Sequence, residues 1–400
     1  MPKALDIAVA GAGPAGLAAA LSLHRDGHRV RIYERFETAR PIGSGLMLQP
    51  TGQAVLASLG LWDKMRALGA PIDRLVGHDA RSGRVVLEMR YAALAGIGRG
   101  LGVHRTALFN VLHDAVVEAG IPIETGRVVT GTDGGRLLFG QTIEGPFDLV
   151  VDALGASSPL RRQLPDATEP RQLAFGAVWG TVPWVDGFDH AALMQRYVGA
   201  SVMIGVLPIG RQMPERPALA AFFWSLRVKD HAALITQGFD AWRERVRALW
   251  PETAPHLDAL GSFESLTLAR YAHQTLPVPF GDRLVAIGDA AHSTSPQLGQ
   301  GANMALLDAR ALTLALREPD LGAALVRYAK LRRSHVRVYQ ALSLTLTPFY
   351  QSDSRWLPVL RDVLVPIATT VPPLPQFLAA LVAGRLLDPL KRLELEPMQL

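Results

Sequence analysis

The chain has 400 residues, of which 49% are hydrophobic and 19% charged, and its formal net charge is +5. This composition predicts a folded protein of two domains or one elaborated α/β domain, and it excludes an intrinsically disordered chain. Cysteine is absent, which excludes disulfides, thiolate metal sites and a cysteine nucleophile, and the basic residues form no run that would favour nucleic acid as a partner.

The first 34 residues have the pattern of a βαβ unit. An apolar strand over residues 5–10 leads into the sequence GAGPAG, a helix follows over 17–25, and a second strand over 29–33 ends at Glu34. We expect Gly11 to form the tight turn, Gly13 to let the backbone approach a pyrophosphate, and Gly16 to let helix and strand pack closely. Glu34 can accept hydrogen bonds from both hydroxyls of an adenosine ribose, so the pattern favours FAD or NAD over NADP at this site.

A glycine-bearing loop comes next, and a helix is predicted over residues 51–59. Gly45 gives the loop flexibility and allows a close approach. Arg40 is either a phosphate partner or an exposed loop arginine. The glycine-rich stretch 96–102 lacks the preceding strand and following acid of a nucleotide motif, so we predict a loop there.

A helix is predicted over 104–119, and it carries Arg105 in its first turn. Arg105 can either reach the dinucleotide or remain solvated. Strands are predicted over 121–130 and 147–152. Residues 172–228 are rich in β-branched and aromatic side chains broken by Gly and Pro, which predicts a mostly antiparallel sheet forming one wall of a substrate site. An amphipathic helix is predicted over 239–260.

A second strand–loop–helix unit lies near the C-terminus, with a strand over 283–287 and a helix over 301–316. Asp289 ends the strand and suits a polyol, while Gly299 and Gly301 let backbone N–H groups approach a flat ring at the helix N-terminus. Asp289, His292 and Ser293 also suggest a nucleophilic triad. That interpretation is rejected because the three residues crowd one turn and no G-x-S-x-G elbow is present.

The last 60 residues are rich in proline. Residues 363–383 carry no charge and are long enough to cross a bilayer, but four prolines lie among them. Each proline removes a backbone donor, and lipid offers no water to compensate, so a transmembrane span is not expected. We expect a buried or surface-lying segment, with peripheral membrane contact as a further expectation. No signal-like segment opens the chain, so a cytoplasmic location is expected.

Taken together, the GAGPAG unit with Glu34, the helix start at His104 and Arg105, and the sequence GDAAHSTSPQLGQGANMALLDA resemble the FAD-dependent aromatic hydroxylases, of which p-hydroxybenzoate hydroxylase is the archetype. The resemblance covers about residues 4–340 and implies which positions would hold FAD. These positions are Gly11, Gly13, Pro14, Ala15, Gly16, Glu34, Arg35, Arg40, Gly45, Arg105, Val129, Asp289, Gly299, Gly301, Ala302 and Asn303. Pro296 and Gln297 would lie where flavin and substrate meet, and no metal is implied.

The resemblance also implies a fold and a reaction. The fold would be α/β, with a Rossmann-like FAD domain (residues 1–70, 100–170 and 280–340), an inserted mostly antiparallel substrate domain (71–99 and 171–279) and a helical, proline-rich C-terminal region (341–400). The protein would be a monomer or homodimer. NADH or NADPH would reduce the flavin transiently, and O₂ would form a flavin hydroperoxide that hydroxylates a small aromatic, quinol-like or apolar substrate.

One motif departs from the family pattern. Leu154 stands where the family has an aspartate that is tied to flavin and NAD(P)H interaction. Asp152 lies two positions earlier, on the same face of the strand, and is a candidate substitute. This departure keeps open a flavoprotein reductase, dehydrogenase or halogenase on the same fold, and a non-enzymatic flavin-binding module is the least favoured alternative.

Overall fold

The computed structural model describes residues 3–38 and 44–398 and shows an α/β architecture built around two large sheets. In chain order the strands are β1 (Asp6–Ala10), β2 (Arg29–Tyr33), β3 (Gly45–Leu48), β4 (Ala70–Ile72), β5 (Arg74–Asp79), β6 (Val85–Arg90), β7 (Gly100–His104), β8 (Ile123–Glu124), β9 (Gly131–Asp133), β10 (Arg136–Phe139), β11 (Thr142–Glu144), β12 (Leu149–Asp152), β13 (Arg171–Pro183), β14 (Ala192–Val198), β15 (Val202–Pro208), β16 (Leu219–Arg227), β17 (Thr267–His273), β18 (Phe280–Gly281) and β19 (Leu284–Ala286).

The helices are α1 (Pro14–Arg25), α2 (Pro50–Ser58), α3 (Trp62–Leu68), α4 (Arg105–Glu118), α5 (His231–Gln237), α6 (Phe239–Leu249), α7 (Ala254–Leu260), α8 (Gly301–Ala315), α9 (Leu321–Tyr350), α10 (Leu357–Ala368), α11 (Leu374–Val382) and α12 (Pro389–Arg392). The predicted βαβ unit at the N-terminus is confirmed, since β1 and β2 pair in parallel on either side of α1.

The first sheet has the strand order β18-β19-β12-β1-β2-β8, and all of its neighbours except β18 run parallel. Alternation along β1 sends Ile7 and Val9 into a core shared with α1, α4 and α8. Ala8 and Ala10 point to the opposite face, which is covered by residues of the small β9–β11 sheet. Because both faces are covered, the strands read as nearly continuous apolar runs.

The second sheet has the order β17-β13-β16-β15-β14-β5-β6 and is antiparallel except where β14 pairs with β5. Phe222 and Trp224 of β16 face α6 and α7, while Phe223 faces the side on which α11 packs. Besides the β9–β11 sheet there is a second three-stranded sheet, with the order β3-β7-β4. The predicted fold class is therefore confirmed: α/β, with a mostly antiparallel sheet and a helical C-terminal region.

The prediction of a loop over 96–102 is wrong in its second half, because β7 begins at Gly100 and pairs with both β3 and β4. Its glycines serve close packing instead of a turn. A Cβ at Gly102 would overlap the carbonyl oxygen of Pro208, and one at Gly100 would lie 2.7 Å from the Tyr91 hydroxyl. The glycine-rich sequence therefore lies where the β3-β7-β4 sheet packs closely against β15 of the second sheet.

Two further predicted elements differ in the structure. Only Ile123–Glu124 of the predicted strand 121–130 pairs with β2, because the chain turns away at Gly126, whose φ is +68°. The predicted helix 239–260 is two helices, α6 and α7, separated by a 3₁₀ turn that starts at Pro251. Proline lacks the N–H that would continue α6, which explains the break.

The C-terminal region contains the 30-residue helix α9, followed by α10, α11 and α12. In the described part of the chain, no helix combines the length and apolarity needed to cross a bilayer. Instead, the charge-free stretch forms the second half of α10 and all of α11, and Pro372 and Pro373 lie in the connection between the two helices.

The stability of the fold should fall as the pH drops below about 6.5, in part because of His256. This side chain is fully buried beside Phe188 without a hydrogen-bond partner, and burial lowers its pKa to about 4. Between these two pKa values the unfolded state binds a proton that the folded state excludes, so unfolding is favoured. From pH 7 to pH 5 the free energy of unfolding should fall by about 1–2 kcal/mol more in the wild type than in His256→Leu, as urea titrations at each pH would show. Equal losses in both proteins would contradict this assignment.

Candidate functional site

The predicted site residues lie at one edge of the first sheet. Because β19, β12, β1 and β2 run parallel, their carboxyl ends meet at this edge. Gly11 follows β1, Glu34 follows β2, Leu154 follows β12 and Asp289 follows β19. The two glycine-bearing turns also touch, since a Cβ at Gly288 would lie 3.2 Å from the Cβ of Ala15. This crevice is where open α/β sheets bind their ligands.

The three glycines of GAGPAG have different geometries. Gly11 has a φ of +107°, and a Cβ there would lie 2.6 Å from the carbonyl oxygen of Ala153. A Cβ at Gly16 would overlap the carbonyl oxygen of Gly11. Gly13 is the N-cap of α1 and differs from both, because its Cβ would meet no protein atom within 4 Å. The open space beside Gly13 is therefore available to a ligand, at a helix N-terminus with free N–H groups.

Glu34 stabilises this loop and keeps acceptor capacity. Its Oε2 accepts a hydrogen bond from the Ala12 N–H at 2.8 Å, and its Oε1 accepts one from the Phe36 N–H at 3.2 Å. A carboxylate has about four acceptor sites, so two remain for ligand hydroxyls. Arg35 is exposed beside it, with its guanidinium 4.8 Å from the Phe36 ring centroid.

Asp289 lies in a 3₁₀ turn, Gly288–Ala290, directly after β19. Burial raises the pKa of its carboxyl group, and the charges of His292 and Arg105 partly oppose that rise. Protein surrounds the Asp289 side chain on several sides, but solvent still reaches it. Asp289 therefore lines a cleft. Among the described residues no hydrogen bond reaches its carboxylate, which leaves both oxygens open to a polyhydroxylated ligand. Arg105, exposed at the start of α4, lies on the same cleft.

The loop before α8 is held by Asn303 and Gln49. The Asn303 side chain accepts a hydrogen bond from the Gln49 N–H at 2.8 Å and donates to the carbonyls of Met47 and Gly299. Asn303 is wholly buried, and its side-chain amide is occupied by these three hydrogen bonds, so its role is to hold the loop. Gln49, which sequence reasoning missed, is also wholly buried, and its Nε2 has no partner and faces Gly299, which has a φ of +61°. Its position just before Pro50, the first residue of α2, was the signal that could have drawn attention to it.

Beyond that network, Pro296 is exposed, and Gly301 and the half-buried Ala302 form the first turn of α8.

Other predicted residues do not join the crevice through their side chains. Val129 is buried in the core beside Tyr33, and a Cβ at Gly45 would overlap Ile209, so both positions have packing roles. Arg40 lies outside the described residues. Asp152 is wholly buried, and its carboxylate accepts hydrogen bonds from the Leu154 N–H and the Ser158 hydroxyl. It cannot replace the family's aspartate by direct contact, although burial raises its pKa to about 6.

A buried ionic network beneath the second loop was not predicted. Asp308 of α8 is wholly buried, and it accepts hydrogen bonds from Arg332 Nε at 2.5 Å, His292 Nε2 at 2.6 Å and the Gly288 N–H at 2.8 Å. Although burial works to raise it, the charges of His292 and Arg332 hold the pKa of Asp308 well below its ordinary value. His292, which the sequence offered as a member of the rejected triad, therefore anchors the turn that carries Asp289.

These features fit the two halves of FAD. The space at Gly13 and the spare acceptors of Glu34 suit a pyrophosphate and an adenosine ribose, and the unpartnered carboxylate of Asp289 suits a ribityl chain. The N-termini of α1 and α8 add free N–H groups and positive dipole ends. In the described residues no cluster of His, Asp and Glu could hold a metal ion.

Replacing Asp289 with alanine should weaken FAD binding by about 10- to 100-fold, because it removes a charged acceptor worth about 1.5–3 kcal/mol. FAD titrated into the apoprotein would measure this through flavin fluorescence. Asp282→Ala is the matched control, since Asp282 is an exposed aspartate on the turn between β18 and β19. Equal affinities for the two variants would remove Asp289 from the site.

The profile of the family described as "FAD binding domain" matches residues 4–336. The chain is 31% identical over 347 residues to a putative 2-heptyl-3-hydroxy-4(1H)-quinolone synthase of Rhodococcus erythropolis, covering 84% of this chain and 86% of that protein. It is 28% identical over 350 residues to the FAD-dependent urate hydroxylase of Klebsiella pneumoniae, covering 82% and 86%. The structure of Klebsiella pneumoniae HpxO complexed with FAD and uric acid superposes with a TM-score of 0.79 at 21% identity, covering 95% and 97% of the chains.

Proposed function

Because the chain belongs to the family of FAD-dependent aromatic hydroxylases, we propose that it is a monooxygenase that takes electrons from NADH or NADPH and inserts one oxygen atom of O₂ into a small aromatic substrate. The observation that carries the proposal is that the open space at Gly13 and the unpartnered carboxylate of Asp289 lie at the same edge of one sheet. Two features that suit different halves of FAD therefore lie at one edge, which supports the proposal.

In this proposal the ADP half of FAD is held by the turn Gly11–Gly16, with its first-turn residues Pro14 and Ala15, and by Glu34 with Arg35. Proline suits the first position of α1, because that N–H would have no helical partner. Asp289 and Arg105 hold the middle of the cofactor. Backbone N–H groups from Gly299, Gly301 and Ala302 would contact the ring, and Asn303 would support them by holding the loop through its side chain.

When bound, FAD supplies the redox and oxygen chemistry. The chain's own residues bind, orient and exclude water. Backbone N–H groups at the N-terminus of α8 stabilise negative charge near Gly301. Pro296 and Gln297 form the edge nearest the substrate, and Gln49 Nε2 offers a hydrogen bond beside Gly299.

The substrate we propose is apolar. Met47 lies beside the loop at Gly299, where a Cβ would be 3.6 Å from its Cε, and belongs to an apolar cluster with Met203 and Phe223. Trp179 extends the cluster, with its ring centroid 4.4 Å from that of Phe223. The name of the Rhodococcus relative describes a quinolone with a heptyl chain, and that chemistry would suit such a cluster.

The second sheet also bears on the domain organisation that we propose. Its strands come from residues 74–90 and 171–273, which supports assigning 71–99 and 171–279 to one substrate domain.

The experiment is anaerobic reduction followed by oxygen labelling. The purified protein should retain FAD, NADH or NADPH should bleach it in the presence of an apolar phenol or quinolone, and isotopically labelled O₂ should place one labelled atom in the product. Bleaching without label in the product would favour a reductase or dehydrogenase, the alternative that Leu154 and the buried Asp152 support, and a halogenated product formed when halide is present would favour the halogenase. Failure of both nucleotides to bleach bound flavin would overturn the proposal.

Two further expectations need separate experiments. Sedimentation of the same preparation would decide between the expected monomer and homodimer, and cell fractionation would test the expected cytoplasmic location.

A further inference from the structure

The exposed apolar side chains are concentrated on α10, the start of α11 and their connection. Nine of the eighteen exposed large hydrophobic side chains in the described residues lie within residues 356–377. We call this the α10–α11 face, and its members are Trp356, Val359, Leu360, Val363, Leu364, Ile367, Val371, Leu374 and Phe377. Trp356 is 82% exposed. Contiguous apolar surface on a folded protein marks an interaction site.

The face lacks the polar groups that a protein partner would use. No charged residue occurs between Asp362 and Arg385. The Thr369 hydroxyl donates to the carbonyl of Pro366, and so does that of Thr370, so neither hydroxyl proton is available to a partner. Interfaces between proteins carry a polar rim and about one hydrogen bond per 100–200 Å², whereas a lipid surface needs no such partners.

A basic rim borders the start of α10. Arg355 precedes Trp356, and Arg81 and Arg84 lie on the turn between β5 and β6, the strand against which α10 packs. That turn is fixed beside α10, because the Ala80 N–H donates to the Tyr197 carbonyl and the Tyr197 ring lies 4.8 Å from the Arg361 guanidinium. All three rim arginines are exposed, and in residues 3–38 and 44–398 none of them makes an ion pair.

Three of the four acids beside this rim are already paired with arginines. Asp353 pairs with Arg227, Asp362 with Arg361, and Glu88 with Arg74 and Arg90. The fourth, Asp79, caps its own turn by accepting hydrogen bonds from the Arg81 and Ser82 backbone, and its charge interacts with Arg81, so three rim arginines face one acid. The rim therefore presents unpaired positive charge beside an exposed tryptophan, and this combination favours anionic headgroups next to a lipid interior.

Helix α11, which continues the α10–α11 face, also contacts the loop before α8. The carbonyl of Val382, the last residue of α11, accepts a hydrogen bond from Gln300 Nε2 at 2.6 Å, and Leu381 packs with Leu298. Tyr339 of α9 donates to the Leu381 carbonyl at 2.9 Å. The C-terminal end of α11 is thus fixed to the loop before α8, while its N-terminal end is exposed.

We propose that the α10–α11 face docks on an anionic lipid surface, with Arg81, Arg84 and Arg355 at the headgroups and Trp356 at the boundary. The sequence predicted peripheral membrane contact for the C-terminal region as a whole. The exposed apolar side chains indicate this face as the part that makes the contact. Docking requires no turnover, so it stands independently of the proposed monooxygenase activity.

The test is flotation of the FAD-bound protein with vesicles of phosphatidylcholine, with and without phosphatidylglycerol. Binding should require phosphatidylglycerol and weaken with salt. Replacing all three rim arginines with glutamine should weaken it about a hundredfold, at about 1 kcal/mol for each basic residue. Val363→Asp with Ile367→Asp should reduce it at least about tenfold, because charge is placed on the inserted side. These two side chains are 58% and 49% exposed, so folding should be preserved.

The matched control is Val117→Asp with Val326→Asp, which makes the same change at two valines that are 56% and 57% exposed elsewhere. It should bind vesicles like the wild type. Absence of binding to phosphatidylglycerol vesicles at low salt, or equal binding by the two aspartate pairs, would overturn the proposal. A dimer that the Val363→Asp and Ile367→Asp changes dissociate, without vesicle binding by the wild type, would assign the face to a second copy instead. Flavin reduction by NAD(P)H, measured without vesicles, reports separately on the proposed function.

Discussion

Replacing Gly13 with valine is expected to weaken FAD binding strongly while leaving the protein folded. A Cβ at this position meets no protein atom within 4 Å apart from its chain neighbours, and Gly13 has an extended backbone conformation that other residues adopt, so we expect the fold to accept the change. The same space is where we propose that the pyrophosphate lies. A side chain that overlaps the ligand should cost about 2–3 kcal/mol or more, which corresponds to roughly a hundredfold loss of affinity. Flavin absorbance of the purified protein and its thermal unfolding temperature would measure the two effects.

Gly281→Val is the control for this change. Gly281 lies on the edge strand β18, has no positive φ, and a Cβ there would make an ordinary 3.5 Å contact with Leu164. We expect it to retain FAD. If Gly13→Val also retained flavin at the wild-type level, the crevice would not be the dinucleotide site.

The largest stability loss is expected for Asp308→Asn. Arg332 is buried and pairs with this carboxylate, so the substitution leaves a guanidinium charge in the core without a counter-charge. Removing one partner of a buried ion pair typically costs about 3–5 kcal/mol. FAD affinity should fall as well, because Asp308 fixes the Gly288 N–H beside Asp289. Urea unfolding and FAD titration would measure both effects.

Asp26→Asn provides the comparison, since Asp26 pairs with Arg317 through the same chemical groups at the surface. Its cost should stay within about 1 kcal/mol. If Asp308→Asn does not fold, the double variant Asp308→Asn with Arg332→Gln removes both charges and should recover part of the loss. A loss for Asp308→Asn as small as that for Asp26→Asn would show that the network does not support the fold.

The parts of the fold that depend on local sequence could be predicted. Residues 5–34 alternate strand, glycine turn, helix and strand in a spacing that fixes the βαβ unit. Asp289 could be placed for the same reason, because it directly follows an apolar strand and precedes a strong helix. Since parallel strands end at one edge, the two motifs could be brought together without coordinates.

The parts of the fold that depend on contacts between distant segments could not be predicted from the sequence. Gly100 and Gly102 look like loop residues until the strands that cross them are known. Asp308 lies on a helix face whose neighbours, His292 and Arg332, belong to other segments, so nothing in its sequence context predicts a buried carboxylate. Exposure of Val363 and Ile367 follows from the packing of α10, whereas charge-free sequence alone is equally compatible with burial.

Helix α9 links three parts of the molecule through three tyrosines. Tyr328 donates to the Ala286 carbonyl at the end of β19, Tyr339 contacts α11, and the Tyr350 ring lies 5.6 Å from that of Tyr197 in the second sheet. At 1.5 Å per residue, the 22 steps from Tyr328 to Tyr350 span about 33 Å. Losing a single residue would turn everything beyond it by about 100°, which would break two of the three contacts if the residue lay between Tyr328 and Tyr339, and one if it lay between Tyr339 and Tyr350. Insertions and deletions should therefore be rare in this stretch among proteins that share the architecture, while the turns at either end of the helix remain free to vary in length.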